Sequence, residues 1–443
     1  MTALRLDKLA LTNFRCFAQC EVAFHPGLTV LVAENGSGKT AVLDAAAAAL
    51  SVFVNALYPS ENVRRIERGD VRLIPGEQNA MMPSLPTEYQ ATATVGGRAV
   101  TWGSAVRTYA KRLSPSWQHL APMSDAARQF LSDSAVLPLI AYYGTGRLWS
   151  EHRLTEYRRS SVTNVEERVA GYADSITSSS TFKGISAWFE HRIEQTASPA
   201  YRESLSTNLA MIAGVRQATD TVLQPAGWTG LDWDREGHTL TAQHPTQGRL
   251  PLFMLSDGVR TMLALVADVA RRCVSLNPQL SDQAPVQTPG VLIVDEVDMH
   301  LHPRWQQQVL GLLQSAFPAL QIIVSTHSPH VLSTVDKSSI RVFHIDGEEA
   351  RIEIPSFQTR GVESADVLAA VMDVDPVPRL QETDNLSAYR ALIEDGKADT
   401  PEATALRAEL IAHYGATSQV MVDCDRLIRF QQFRLRHEKP DGA

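Results

Sequence analysis

The sequence predicts an α/β protein built on a mixed sheet, and three observations carry that prediction. An apolar run, Leu28–Val32, enters a glycine-rich turn that closes on Lys39-Thr40 and continues into an alanine-rich helix, Ala41–Leu50. Two further apolar runs, Val291–Val294 and Ile322–Ser325, flank a helical segment, Arg304–Phe317, and strand–helix–strand at that spacing makes a parallel pair. Stretches with the period of strands surround them: residues 3–12, residues 21–32, and Tyr89–Trp102, the last turning at Gly96-Gly97 as a hairpin.

Composition sets the frame. The chain has 443 residues, 44% hydrophobic and 20% charged, with apolar mass for two or three packed units. No stretch is expected to approach the ~20 apolar residues that cross a bilayer, and the N-terminus reads as a strand, not a secretion signal. Cys16, Cys20, Cys273 and Cys424 lack metal-type spacing and read as reduced thiols of a cytoplasmic protein. Lys and Arg number 41 against 49 Asp and Glu, a net charge of −8. That excludes global attraction to nucleic acid; any such contact needs a local basic face.

Along the chain we expect an N-terminal lobe (1–149), a helical insertion (150–226), a C-terminal lobe (227–356) and a helical C-terminal region (357–443). Residues 104–131 read as helical, with breaks at Pro115 and Pro122. Leu137–Ile140 opens a buried strand ending at Gly144-Thr145-Gly146-Arg147. The insertion lacks sustained heptads, which excludes a long coiled-coil arm. Trp228–Gln243 reads as a hairpin, Ser256 opens a helix, Ile340–His344 and Ala350–Ile354 are late strands, and residues 362–437 are helical with a break at Pro376-Val377-Pro378.

Chemistry concentrates at the glycine-rich turn. Gly36 and Gly38 let the backbone curl so that successive N–H groups around Asn35, Ser37 and Lys39 converge on one anion, and the helix that follows adds its positive end. Lys39 would reach the β and γ phosphates, and the Thr40 hydroxyl would ligate Mg²⁺. The usual pattern starts with glycine; here Ala33 holds that place, where φ > 0 would carry a cost. Asp295-Glu296 ends the strand Val291–Val294, at the edge where parallel α/β sheets bind ligands. Asp295 would share the Mg²⁺ with Thr40, and Glu296 would polarise an attacking water. His327 follows the next strand and would emerge on the same edge, able to donate to the γ phosphate. Ser256 is a good N-cap and Gly258 leaves room for close approach, a helix start suited to a second phosphate contact.

These motifs, in this order, resemble the ABC-type ATPase heads of the SMC, RecF and OLD group: A-E-N-G-S-G-K-T at 33–40, L-S-D-G at 255–258, V-L-I-V-D-E at 291–296, D-M-H-L-H-P-R-W at 298–305 and S-T-H-S-P at 325–329. The resemblance implies a P-loop head with a mixed sheet in two lobes and a head-to-tail homodimer or higher homo-oligomer. ATP would lie between the turn of one subunit and Ser256 and Gly258 of another. It also implies that Arg15, in N-F-R, reaches the nucleotide phosphates and that Asp298 communicates across the interface. The signature lacks its usual Gln, and Asp70 is the stand-in for the group's Q-loop residue. More narrowly, D-E-V-D-M-H-L-H-P-R-W-Q, F-P-A-L-Q-I-I-V-S-T-H-S-P and L-P-L-I-A-Y-Y-G-T-G-R-L-W are similar to bacterial anti-phage ATPases of the Septu and retron-associated PtuA kind. That likeness implies a separate nuclease partner, commonly HNH-type, with DNA or RNA met through the complex and no membrane. A RecF-like repair ATPase and a nucleotide-gated scaffold with little turnover are the alternatives.

Other pairs carry less. His300 and His302 precede Pro303, which starts a helix, and no ligand is spaced to complete a metal site. Asp373 and Asp375 are followed at once by prolines, and Asp423 and Asp425 run into one amphipathic helix, so neither pair makes a nuclease. Arg147, Arg153, Arg158, Arg159 and Arg168 are interleaved with glutamates as well as aromatics, which suits a solvated face at least as well as nucleic acid. Arg426, Arg429, Arg434, Arg436 and Lys439 leave a basic C-terminal end.

Overall fold

The computed structural model describes residues 4–59, 63–76, 80–132, 135–148, 168–177, 182–197, 204–346 and 349–437. The arginines at 153, 158 and 159, and Lys439, lie outside them. Two compact units form, Met1–Val367 and Leu368–Ala443.

Strands occur in chain order as β1 Leu4–Phe14, β2 Phe17–Ala23, β3 Leu28–Val32, β4 Leu73–Pro75, β5 Met81–Pro83, β6 Thr87–Val95, β7 Arg98–Val106, β8 Ser116–Gln118, β9 Leu139–Tyr143, β10 Thr229–Asp234, β11 Thr239–His244, β12 Gly248–Pro251, β13 Gly290–Val294, β14 Leu320–Ser325, β15 Ile340–Asp346 and β16 Glu349–Glu353. Eleven of them make one mixed sheet in the order β8-β7-β6-β1-β2-β16-β15-β3-β14-β13-β9. The β15-β3-β14-β13-β9 half is parallel and the β8-β7-β6-β1-β2 half antiparallel. The parallel strands β3, β9, β13 and β14 are buried on both faces, which is why they read as unbroken apolar runs.

Helix Lys39–Leu57, which follows β3, is buried along most of its length. The helix of 19 residues contains an 18-residue window of mean hydropathy 1.7, long and apolar enough to cross a membrane, yet 83% of that window is buried inside the protein. The expectation that no stretch approaches such length is corrected here: alanine-rich helices buried all round share that composition. The long helix Asp257–Leu276 packs against helix Leu205–Leu223.

The hairpin at Gly96-Gly97 forms as expected, both glycines at positive φ (55° and 84°). Residues 104–131 depart from the helical reading. Strand β7 runs on to Val106 because its edge pairs with β8, Ala105 opposite Ser116. The helix there is only Leu120–Arg128, with Pro122 inside its first turn, where a missing N–H breaks no helical bond. Arg304–Phe317 divides into Pro303–Gln306 and Val309–Ala316. The C-terminal unit is helical: Gln381–Glu394, Pro401–Tyr414 and Gln419–His437 enclose Tyr389, Ile393, Leu410, Met421 and Cys424. Asp425 pairs with Arg407 at 2.7 Å on the way.

Candidate functional site

Register brings the chemistry together. Val324 of β14 lies opposite Val294 of β13 and Val30 of β3, so the loops leaving these three parallel strands meet at one edge. A cleft of about 310 Å³ opens there, lined by Arg15, Cys16, Asn35, Gly36, Gly38, Lys39, Thr40, Ala41, Asp295, Glu296 and His327. Nine of the residues singled out in the sequence line it. Ser37 is in the turn but not the lining, and Ser256, Gly258 and Asp298 are not part of the lining either.

The turn has the backbone that its glycines allow. Gly36 and Gly38 take φ of 82° and 87°, whereas Ala33 is not among the positive-φ residues, so alanine at the first position costs no strain. A Cβ on Gly36 would meet nothing within 4 Å, but one on Gly38 would sit 2.3 Å from Phe17 Cζ and 2.5 Å from Cys16 Sγ. Gly38→Ala therefore combines left-handed strain of about 1–2 kcal/mol with a clash against a buried ring. We expect a lowered melting temperature and loss of nucleotide binding, checked by thermal unfolding and fluorescent-nucleotide titration.

Lys39 is 6% exposed. Its Nζ donates to the carbonyls of Ala33 (2.8 Å) and Glu34 (3.0 Å). Burial lowers its pKa, opposed by the nearby Asp295, Glu296 and Asp298 carboxylates. Thr40 Oγ1 donates to Asp295 Oδ2 at 2.8 Å, joining the two residues expected to share a cation. Their hydroxyl and carboxylate oxygens are the hard donors that Mg²⁺ takes.

Ser325, fully buried, organises the next pair. Its hydroxyl donates to Asp295 Oδ1 and accepts the N–H of Glu296 at 2.7 Å. Glu296 is half-buried with φ at 48°, a strained backbone for a residue other than glycine. His327 has its pKa lowered by burial and then by Lys39, against the carboxylates, which favours the neutral imidazole. Asp298 accepts from Thr326 Oγ1 at 2.5 Å, and Ser328 Oγ donates to Gln306 Oε1 at 2.8 Å. His302 caps the helix at Pro303 through Arg304 N–H, consistent with a structural role.

Arg15 lines the cleft with its guanidinium between two carboxylates, Asp44 (2.8 Å) and Asp70 (2.7 Å). Asp70 is not among the cleft's lining; its carboxylate accepts from the Arg15 guanidinium at the rim. Ser256 caps helix Asp257–Leu276 by backbone geometry alone; its side chain makes no capping bond and is exposed. Gly258 is buried, and a Cβ there would lie 2.5 Å from the His300 carbonyl.

Two family models cover this arrangement. One, described as "AAA domain, putative AbiEii toxin, Type IV TA system", matches residues 127–333 and so spans Ser256, Asp295, Glu296 and His327. Another, "AAA domain", matches residues 8–185 and spans Arg15 and the glycine-rich turn. The protein is an ATPase.

The ATPase is 23% identical to the "Retron Vc95 probable ATPase" of Vibrio cholerae serotype O1 biovar El Tor, across 93% of this chain and 88% of that one. It is 35% identical to the "Retron Ec83 probable ATPase" of Escherichia coli, across 39% of this chain and 31% of the relative. It is 36% identical to the "Septu protein PtuA" of Bacillus mycoides (strain KBAB4), across 21% of this chain and 12% of the relative. The matches thus span less than a third of the last two proteins. Retron and Septu proteins are the relatives that its motifs resemble.

Sequence reasoning missed Ser325, Asp44 and the Tyr142-Tyr143 pair. Ser325 was visible as the residue ending the β14 run; the others pair across long separations that no local pattern marks.

Proposed function

We propose that this ATPase binds ATP with Mg²⁺ in the cleft, closes as a head-to-tail dimer, and through that closure controls a nuclease effector in an anti-phage defence complex. The kinship with retron and Septu ATPases supports the defence role. One observation carries the dimer: Ser256 stands exposed outside the cleft, with Phe253 and Met254 beside it 69% and 62% exposed. An apolar pair next to a helix N-terminus of positive dipole suits a surface that a second subunit covers.

Within the cleft each residue has a distinct task. Asn35, Gly36, Ser37 and Gly38 present backbone N–H groups to the phosphates, and Lys39 transfers its amine from the loop carbonyls to them. Thr40 and Asp295 hold the cation, which supplies charge neutralisation on the phosphates. Glu296 accepts the proton of the attacking water, and neutral His327 donates to the γ phosphate. Arg15 reaches the phosphates from the rim, Ser256 and Asp298 act from the other subunit, and Gly258, packed on the His300 carbonyl, lets the start of the Ser256 helix sit close to that loop.

Lys39→Ala is expected to weaken nucleotide binding about 10- to 100-fold, the worth of a charge-assisted contact, in the same titration. The dimer is tested by the solution mass of Glu296→Gln with and without ATP·Mg²⁺. We expect a doubling with ATP that Ser256→Arg abolishes. An unchanged mass at saturating ATP overturns the reading.

A further inference from the structure

No residue of the L-P-L-I-A-Y-Y-G motif lines the cleft, yet its two tyrosines tie together elements that surround it. Successive strand residues face opposite sides of a sheet, and at the end of β9 the two tyrosines reach two different helices. Tyr142 donates its hydroxyl to Asp44 Oδ1 at 2.9 Å, on helix Lys39–Leu57. Asp44 also receives Arg15 and Arg64, each at 2.8 Å, so it is the hub that holds the arginine at the cleft rim. Tyr143 donates to Asp268 Oδ2 at 2.7 Å, on the helix that starts after Ser256. Both tyrosines are 2% exposed.

The strand between these contacts is tied to the Asp295-Glu296 strand. Tyr143 lies opposite Val294, and its carbonyl accepts the N–H of Asp295 at 2.8 Å. Two neighbouring residues therefore index three elements against one another: the phosphate-loop helix, the acidic end of β13 and the Ser256 helix. Hydrogen bonds from buried hydroxyls to carboxylates are among the stronger ones and fix direction as well as distance.

We propose that Tyr142 and Tyr143 are positioning residues for ATP turnover, Tyr142 aiming Arg15 through Asp44 and Tyr143 aiming the Ser256 helix through Asp268. The assignment rests on the site reading above. It divides the labour: the Asp44 link acts on how tightly the phosphates are held, and the Asp268 link acts on how well the second subunit's helix completes the site. Phenylalanine at either position keeps the ring and removes only the link. Asp44 then retains two guanidinium partners and Asp268 retains Arg271 and Arg272, so each variant keeps the fold.

The test is steady-state ATP hydrolysis by Tyr142→Phe and Tyr143→Phe in the full chain. Asp44→Asn and Asp268→Asn approach the same links from the other side. Tyr142→Phe is expected to raise KM about tenfold with kcat within about twofold, and to add nothing on top of Asp44→Asn. Tyr143→Phe is expected to lower kcat about tenfold at unchanged KM, and Asp268→Asn to do the same. Variants that melt lower yet keep both parameters mark a purely structural role and overturn the inference. So does a shift of the same parameter by both tyrosine variants, or full additivity of Tyr142→Phe with Asp44→Asn. Failure of the underlying site reading shows elsewhere, as undiminished turnover in Glu296→Gln and undiminished binding in Lys39→Ala.

Discussion

In Glu296→Gln, ATP turnover falls by about 10²- to 10³-fold while nucleotide remains bound. The amide keeps the shape of the side chain, and the backbone stays at its positive φ because the N–H is still held by Ser325. What disappears is the carboxylate proposed to accept the proton of the attacking water. Asp295 cannot substitute, because one of its oxygens takes the Ser325 hydroxyl and the other the Thr40 hydroxyl. Single-turnover phosphate release with pre-bound ATP separates chemistry from binding. A rate within threefold of the parent would remove Glu296 from the catalytic role.

Arg272→Ala is expected to cost about 3–5 kcal/mol of stability, the range for removing one partner of a buried ion pair. Arg272 and Asp268 are both almost fully buried, and Arg272 Nε meets Asp268 Oδ2 at 2.9 Å. The same guanidinium donates to the carbonyls of Gly171 (3.0 Å) and Ala173 (2.8 Å). Burial penalises the Asp268 charge, but Arg271, Arg272 and the Tyr143 hydroxyl together hold its pKa well below the usual carboxylate range. Alanine leaves that charge with one arginine, and leaves two carbonyls without their donor. A denaturant midpoint for the parent and the variant measures the loss; a change under 1 kcal/mol contradicts the argument.

The fold and site were legible in the sequence where chemistry is local. The glycine-rich turn, the paired acids after an apolar run and the histidine after the next one are each a few residues long, and each took its expected place at one sheet edge. The helical reading of residues 104–131 failed because β8 exists only by pairing with β7, a tertiary bond no periodicity reports. The single helix over Arg304–Phe317 divides where the Gln308 N–H bonds the Trp305 carbonyl at 2.9 Å, three residues back rather than four. The supports of the site were hidden as β8 was, with Asp44 and Tyr142 98 residues apart and Asp268 and Tyr143 125 apart. A residue's own neighbours suggest what it does; what aims it comes from elsewhere in the chain.

The Lys39 ammonium, bonded to two carbonyls of its own loop, makes admission competitive. An arriving anion must outbid those oxygens before the amine will leave them. With Lys39 in its proposed role, that contest favours the anion of greater negative charge, so the length of the phosphate chain counts before any base or sugar is recognised.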